Sequence, residues 1–274
     1  MDKFYLYHQL NAHTMKNIFL SLFICCTFTV VFAQNIPSPS EFLGYELGTQ
    51  FTRHHQVVAY FNAVAATSDQ VNLSLYGTTY EGRSLQLASI STAENLSKLD
   101  EIQENHLIQS GLKEGTVSSL PPKSIVWLSY NVHGNEAVST EAAMKTLYTL
   151  VTEKAAWLEN LVVLMDPCIN PDGRDRYVNW YNQVKSSPFD GKPIANEHYE
   201  DWPGGRYNHY YFDLNRDWAW VSQKETQQRL KEYHKWYPQI HVDFHEQGVD
   251  SPYYFAPAAE PLHEIVTDFQ KDFQ

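Results

Sequence analysis

Apolar and polar positions change period along this chain in a regular order. Val71 to Tyr76 and Leu85 to Ile90 are short runs rich in branched and aromatic residues and read as strands, joined by the turn-rich stretch Gly77-Thr78-Thr79-Tyr80-Glu81-Gly82-Arg83. Residues 34–50 carry Pro and Ser and read as a lead-in, and Arg53 to Ala66 reads as a first helix. Residues 91–123 hold a polar helical stretch and a loop closed by Pro121-Pro122. Ile125 to Tyr130 is a strand. Thr140 to Thr152 spaces Ala143, Leu147, Leu150 and Val151 at helical intervals, and Leu161 to Met165 is again a strand. Residues 172–212, aromatic and rich in Gly, Pro and Asn, read as a long functional loop. A charged helix over Val221 to Tyr237, a strand over Ile240 to Phe244 and a helix over Leu262 to Phe273 follow. Strand–helix–strand alternation predicts an α/β fold: a mixed, mostly parallel sheet flanked by helices on both faces.

Composition sharpens this picture at a few points. Of the 274 residues, 43% are hydrophobic and 14% aromatic, enough for a packed core and too apolar for disorder. The formal net charge of −12, with no Lys/Arg block, argues against nucleic acid or an anionic membrane surface as a partner. Lys16 precedes the apolar run Ile18 to Phe32, and Val31-Phe32-Ala33 resembles a cleavage site before Gln34. Residues 1–33 therefore read as an over-extended start followed by an export signal over about 15–33, with Met15 the true initiator. The mature domain is expected over 34–274, exported to a periplasm or the outside, with no stable membrane span once the signal is removed. Cys25 and Cys26 fall inside that signal. Cys168 remains as the one cysteine of the mature chain, so no internal disulfide is expected and Cys168 reads as a small buried residue at a strand end.

Three segments follow apolar runs that read as strands: His133-Gly134-Asn135-Glu136, Asn170-Pro171-Asp172-Gly173 and His245-Glu246. Ligands of open α/β sheets bind beyond the carboxyl ends of strands, so these segments are candidates for a shared site. His133 and Glu136, three residues apart, can present an imidazole and a carboxylate to one cation. With a distant His245 they make three ligands and leave the fourth position of a tetrahedral zinc open for water. His241 lies four residues earlier, within the strand, and reads as structural. Asn215-Arg216 can grip a carboxylate with a two-pronged guanidinium. Arg206 follows Pro203-Gly204-Gly205, a loop able to deliver it into a cleft.

Taken together, His133-x-x-Glu136, Asn170-Pro171-Asp172-Gly173, Arg206, the Asp-x-Asn-Arg segment at 213–216 and His245 resemble the zinc carboxypeptidase family, the carboxypeptidase A-like metallopeptidases. Glu81-Gly82-Arg83-Ser84-Leu85 is similar to the segment ahead of that family's first zinc motif. The resemblance covers roughly residues 40–274. It implies a carboxypeptidase A-like (phosphorylase/hydrolase-like) fold, one Zn2+ per domain held by His133, Glu136 and His245, and Asp213 orienting His133 through its second ring nitrogen. It further implies Arg206 as the catalytic stabiliser of the oxyanion, and Asn215 and Arg216 as the grip on the free C-terminal carboxylate of a peptide or protein substrate. Asn135, also placed among the substrate-binding residues, stands where better-known members carry Arg, a difference expected to loosen that grip.

The family's general-base Glu and its closing Tyr come well after the third ligand, so the expectation is a domain incomplete at its C-terminus and inactive alone, the N-terminal portion of a longer metallocarboxypeptidase. Two other readings stay open: a catalytically inactive homologue that binds peptides or cell-wall fragments, and a zinc amidase or deacylase. Tyr253, Tyr254 and Phe255 are candidates for part of the side-chain pocket.

Overall fold

The computed structural model describes residues 36–248 and 260–273. The expected export signal and Tyr253, Tyr254 and Phe255 lie outside the described residues. Among those described, no helix is long and apolar enough to cross a membrane.

A short helix α1 (Pro39–Leu43) is closed at its start by a reciprocal Ser38–Glu41 capping box and at its end by Gly44 at φ +77°. Helix α2 (His54–Thr67) buries Val57, Tyr60, Phe61 and Val64, one helical stripe. Strands β1 (Val71–Thr78) and β2 (Ser84–Ile90) form an antiparallel hairpin. Two polar helices, α3 (Ala93–Ser97) and α4 (Leu99–Gln109), lead to β3 (Ser124–Tyr130). Helix α5 (Val138–Thr152) buries Ala143, Met144, Leu147, Leu150 and Val151, and β4 (Leu161–Asp166) follows. Helices α6 (Pro171–Val184) and α7 (Lys224–Trp236), strand β5 (Ile240–Phe244) and a short α8 (Asp268–Phe273) complete the described chain.

The strands lie in the order β1-β2-β4-β3-β5. β3 pairs in parallel with both β4 and β5, while β2 runs antiparallel to β1 and β4, so every strand except β2 points the same way. Alternation along the strands feeds two cores. One face carries Ala88, Ile90, Tyr130, Val163 and Met165 and packs on α2 and α5. The other carries Leu87, Ile125, Trp127, Val162 and Leu164 and packs on Ile102 of α4 and Trp236 of α7. The mixed, mostly parallel α/β sheet with helices on both faces is therefore present as the alternation implies.

Strand order is what positions the site. From β3 the chain crosses to β4 on one side and later returns to place β5 on the other. β3 is thus a switch point, where crevices open at strand carboxyl ends. Tyr130 and Phe244 are register partners at the ends of β3 and β5, their rings stacked 4.2 Å apart. His133 and His245, far apart in sequence, leave the sheet side by side.

Three expectations need correction. Residues 172–212 are not all loop: α6 occupies Pro171–Val184, started by the Asn170 side chain accepting from Gly173 N at 3.0 Å with Pro171 in the first turn. Its buried face is polar, with Arg174 and Asp175 inside, so no apolar stripe announces it. The charged helix begins at Lys224 rather than Val221, because Val221 has φ +53° and the Ser222 and Gln223 amides turn back onto the Asp217 carboxylate. At the far end the helix spans only Asp268–Phe273 within the stretch Leu262–Phe273.

Candidate metal centre

The centre is assembled on the turn after β3. Asn131 takes φ +59°, a conformation Asn tolerates better than most residues, and its amide nitrogen donates to the carbonyls of His133 (2.7 Å) and Glu136 (2.9 Å). This folds residues 133–136 into a tight loop with both side chains on one side. His133 is buried, and its Nδ1 stands 2.8 Å from Glu136 Oε1. The other Glu136 oxygen, Oε2, is 3.1 Å from His245 Nδ1 and accepts from the backbone N–H of Glu246 at 3.0 Å. One ligand atom from each of His133, Glu136 and His245 lies within 4.8 Å of the others.

Tetrahedral zinc with ligand bonds of roughly 2.0–2.2 Å needs donor atoms about 3.3 Å apart. The two imidazoles meet opposite oxygens of one carboxylate, at 2.8 and 3.1 Å, the three donors gather within 4.8 Å, and they are the imidazole and carboxylate types that zinc prefers. The residues fit the ion. Without it, Glu136 must serve two imidazoles. Burial, the largest effect on its carboxyl, works upward, but hydrogen bonds from His133, His245 and the Glu246 amide outweigh it and hold Glu136 at about 2. Hydrogen bonds to Asp243 and Glu136 push the His245 imidazole up to about 10.

The other singled-out residues surround this core unevenly. Asp213 Oδ1 is 3.0 Å from His133 Nε2, the ring nitrogen facing away from Glu136. Burial works against the Asp213 charge, yet His133 and Arg206 hold its carboxyl below the usual range. Arg206 donates through Nη2 to Asp213 Oδ2 at 3.0 Å, and its Nη1 lies 3.7 Å from Glu136 Oε1. Asn215 and Arg216 stand on a single 3-10 turn, Leu214–Arg216, started by the Asp213 side chain accepting from Asn215 N at 2.9 Å. Arg216 is exposed, and its Nη1 donates to the Asn215 carbonyl at 3.3 Å. Asn135 spends its amide on Glu200 Oε2, donating at 2.9 Å. Asp172 also faces away, bound to Thr79 and Arg83, whereas Asn170 donates to the Arg206 carbonyl at 3.2 Å and so steadies the arginine loop. Cys168 is buried at the end of β4 as expected, its thiol pushed up to about 12 by burial.

Glu246, Asn131 and Glu200 were not assigned from sequence. The Glu246 side chain accepts from Val138 N at 2.7 Å and Ser139 N at 3.3 Å, capping α5 while its own amide braces Glu136. Asn131 had one available signal, an Asn directly after a strand, where a left-handed turn is common.

Glycines allow the three loops to meet. A Cβ on Gly134 would fall within 3.0 Å of Arg174 N, Gly173 C and Gly205 O, and one on Gly173 would strike Gly205 O and Tyr207 O. These obstacles are backbone atoms and cannot swing aside. Gly134→Ala is expected to cost at least about 3 kcal/mol, the upper end for overpacking, and to weaken metal binding in whatever remains folded. Urea unfolding of the metal-free protein checks this, and a loss under about 1 kcal/mol would mean that the three backbones are not in contact.

A family model described as zinc carboxypeptidase matches residues 57–253. No curated protein matches the chain. Among solved structures it is similar to the carboxypeptidase A of Helicoverpa armigera, at 15% identity over 77% of this chain and 48% of that one, with a TM-score of 0.49. It is also similar to a metallo-carboxypeptidase of Burkholderia cenocepacia, at 19% identity over 72% of this chain and 41% of that one, TM-score 0.46. A third is a metallo-carboxypeptidase of Pseudomonas aeruginosa solved with (2-guanidinoethylmercapto)succinic acid, at 19% identity over 73% of this chain and 40% of that one, TM-score 0.42. The chain spans less than half the length of each of these three.

Proposed function

This chain belongs to the zinc carboxypeptidase family, and from that premise we propose that it is the metal-binding part of an exported carboxypeptidase that releases C-terminal residues from peptides or proteins. The observation that carries the reading is the Glu136 carboxylate held between two imidazoles with a guanidinium 3.7 Å away. Three zinc donors beside a guanidinium would suit a reaction in which negative charge develops next to that cation.

In this reading His133, Glu136 and His245 hold the ion. Bound zinc supplies a Lewis acid that lowers the pKa of a coordinated water to about 7 and polarises a carbonyl. Asp213 accepts from His133 Nε2 and so commits Nδ1, with its lone pair, to the metal side. The same carboxylate binds Arg206 at 3.0 Å, which keeps the half-exposed guanidinium beside Glu136, where it can donate to the oxyanion. Asn215 and Arg216 receive the substrate's terminal carboxylate. Arg216 is exposed and makes only one hydrogen bond among the described residues, Nη1 to the Asn215 carbonyl at 3.3 Å, which leaves most of its donors for a carboxylate. Asn135 contributes to substrate binding only weakly, since its amide already serves Glu200.

The test is a release assay on the protein made from its complete reading frame, using peptides with free and amidated C-termini. Turnover of the free form that stops with chelator and returns with zinc is the expected result, together with a mature N-terminus near Gln34. Stoichiometric zinc without turnover would indicate the peptide-binding homologue instead. Equal cleavage of the amidated form would remove the terminal-carboxylate role of Asn215 and Arg216 and favour an amidase.

A further inference from the structure

Behind His245 the sheet carries a row of polar side chains, of which the site described above has used only the Asp243–His245 hydrogen bond. Ser129 of β3 pairs with Asp166 of β4 on one side and with Asp243 of β5 on the other. By strand alternation all three face the α4 and α7 side, as Trp127 does. Into this row α7 places Arg229, which is 1% exposed, its guanidinium carbon 4.1 Å from the Trp218 ring centre. None of the Arg229 nitrogens has a hydrogen-bond partner in the protein, and neither has Asp166 Oδ1 or Asp243 Oδ1. Ser129 Oγ is already engaged, by Trp127 Nε1 at 3.1 Å and His241 Nε2 at 2.9 Å.

These groups act on one another. Burial pushes the Asp166 carboxyl up to about 7, with the Tyr76 hydroxyl and Arg229 pulling it back and the charge of Asp243 adding to the rise. Asp243 and Arg229 also act on His241 with opposite signs. Arg229 and Asp166 are both buried, and Asp243, whose side chain is about a quarter exposed, stands in the same row. A guanidinium cannot shed its proton, and burying it far from any counter-charge is prohibitive; since no Arg229 nitrogen bonds either carboxylate directly, Asp166 and Asp243 balance it at longer range. One of them reaches the metal centre: Asp243 Oδ2 lies 3.2 Å from His245 Nε2, on the side of the ring opposite Glu136.

We propose that Asp243 is a positioning residue for His245, fixing the imidazole through Nε2 so that Nδ1 faces Glu136, with buried Arg229 as a longer-range counter-charge in the same row of side chains. The proposal rests on the metal centre inferred above and adds to it a support for the third ligand. The arrangement parallels Asp213 on His133, except that Asp213 is itself bonded to Arg206 whereas no arginine bonds Asp243 among the described residues. Ring-orienting carboxylates of this kind are commonly worth 10–100-fold in metal affinity.

The experiment measures zinc affinity by chelator competition, with the visible spectrum of the Co2+-substituted protein as a report on ligand geometry. Asp243→Ala should weaken zinc by about 10–100-fold and shift the cobalt bands. Asp243→Asn keeps an acceptor oxygen for Nε2–H and should recover most of both. Arg229→Met should weaken zinc in the same direction by a smaller factor. If the alanine form does not fold, Asp243→Thr, suited to a strand and too short to reach the ring, gives the same two readings. Zinc held within twofold of wild type with unchanged cobalt bands, in whichever of these lacks the carboxylate, overturns the proposal. A wild-type protein that takes up no zinc overturns the metal centre itself, a different result.

Discussion

His245→Ala is expected to purify without stoichiometric zinc. Three protein ligands converge here, and the other two, His133 and Glu136, come from a single short loop. A structural four-ligand zinc site is worth roughly 10–16 kcal/mol at neutral pH. Losing one ligand therefore costs on the order of 3 kcal/mol, more than a hundredfold in affinity. The variant should remain folded, because the His245 side chain is a third exposed and packs at the edge of the sheet. Metal analysis after gel filtration reads the result directly. His241→Ala is the comparison: its ring binds Ser129 and packs on Trp218 and Tyr233, away from the ligands, so that variant should keep its zinc. One equivalent of zinc in His245→Ala would sink the ligand assignment.

The same ligand sets the pH response. In the metal-free protein Asp243 and Glu136 push the His245 imidazole up to about 10, so near neutrality the ring carries a proton that zinc must displace. Protons and metal compete, and affinity rises with pH, by about tenfold per unit for one displaced proton, between roughly pH 6 and 9. His245→Ala should lose most of that slope, since the remaining donors then release fewer protons. An unchanged slope would mean that the displaced proton resides elsewhere.

How far the chain could be read in advance depends on whether a residue's partners lie near it in sequence. β3 and β4 are visible as apolar runs because each is covered on both faces, whereas β5, half-exposed, shows only as the alternation of Ile240, Val242 and Phe244. His133, Glu136 and His245 are visible because they stand just past two of those strands. Helix α6 is hidden for the opposite reason: the polar residues Asp172, Arg174 and Asp175 dominate its buried face, with Val178 alone too little to mark an apolar period. Their partners are Thr52, Glu141, His54, Arg83 and Thr79, drawn from other parts of the chain. Asp243 and Arg229 escape notice in the same way, one looking like an alternating strand residue and the other like a helix surface charge. Glu246 was seen as an acid next to a candidate ligand, but its job as a cap for α5 depends on a helix start 108 residues away. Polar groups with distant partners are read only once the chain has been folded.

Arg174→Met is expected to remove most of the protein's stability, by at least about 4 kcal/mol against a usual total of roughly 5–15. Arg174 is fully buried, and its guanidinium pairs with Glu141 Oε1 at 2.7 Å. It also donates twice to the Thr52 carbonyl, at 2.9 and 3.0 Å, and once to the Ala137 carbonyl at 2.6 Å. Glu141 is held from a second side by the Thr52 amide at 2.6 Å and its hydroxyl at 2.7 Å. One ion pair thus ties α5, α6 and the segment entering α2. Removing the cation leaves a buried carboxylate and two buried carbonyls short of a donor, and breaking a buried pair from one side typically costs about 3–5 kcal/mol even before the carbonyls are counted. Glu141→Gln should cost less, because the amide oxygen still accepts from Thr52 and the guanidinium keeps its carbonyls. Combining Arg174→Met with Glu141→Met should be milder than the sum of the single losses, since no charge is then stranded. Urea unfolding followed by tryptophan fluorescence measures all of these, and an Arg174→Met protein within about 1 kcal/mol of wild type would contradict the pairing. The consequence reaches the metal centre through one bond: Ala137, whose carbonyl Arg174 holds, follows Glu136 directly, so the ligand loop is anchored to the core by the same guanidinium that locks the helices together.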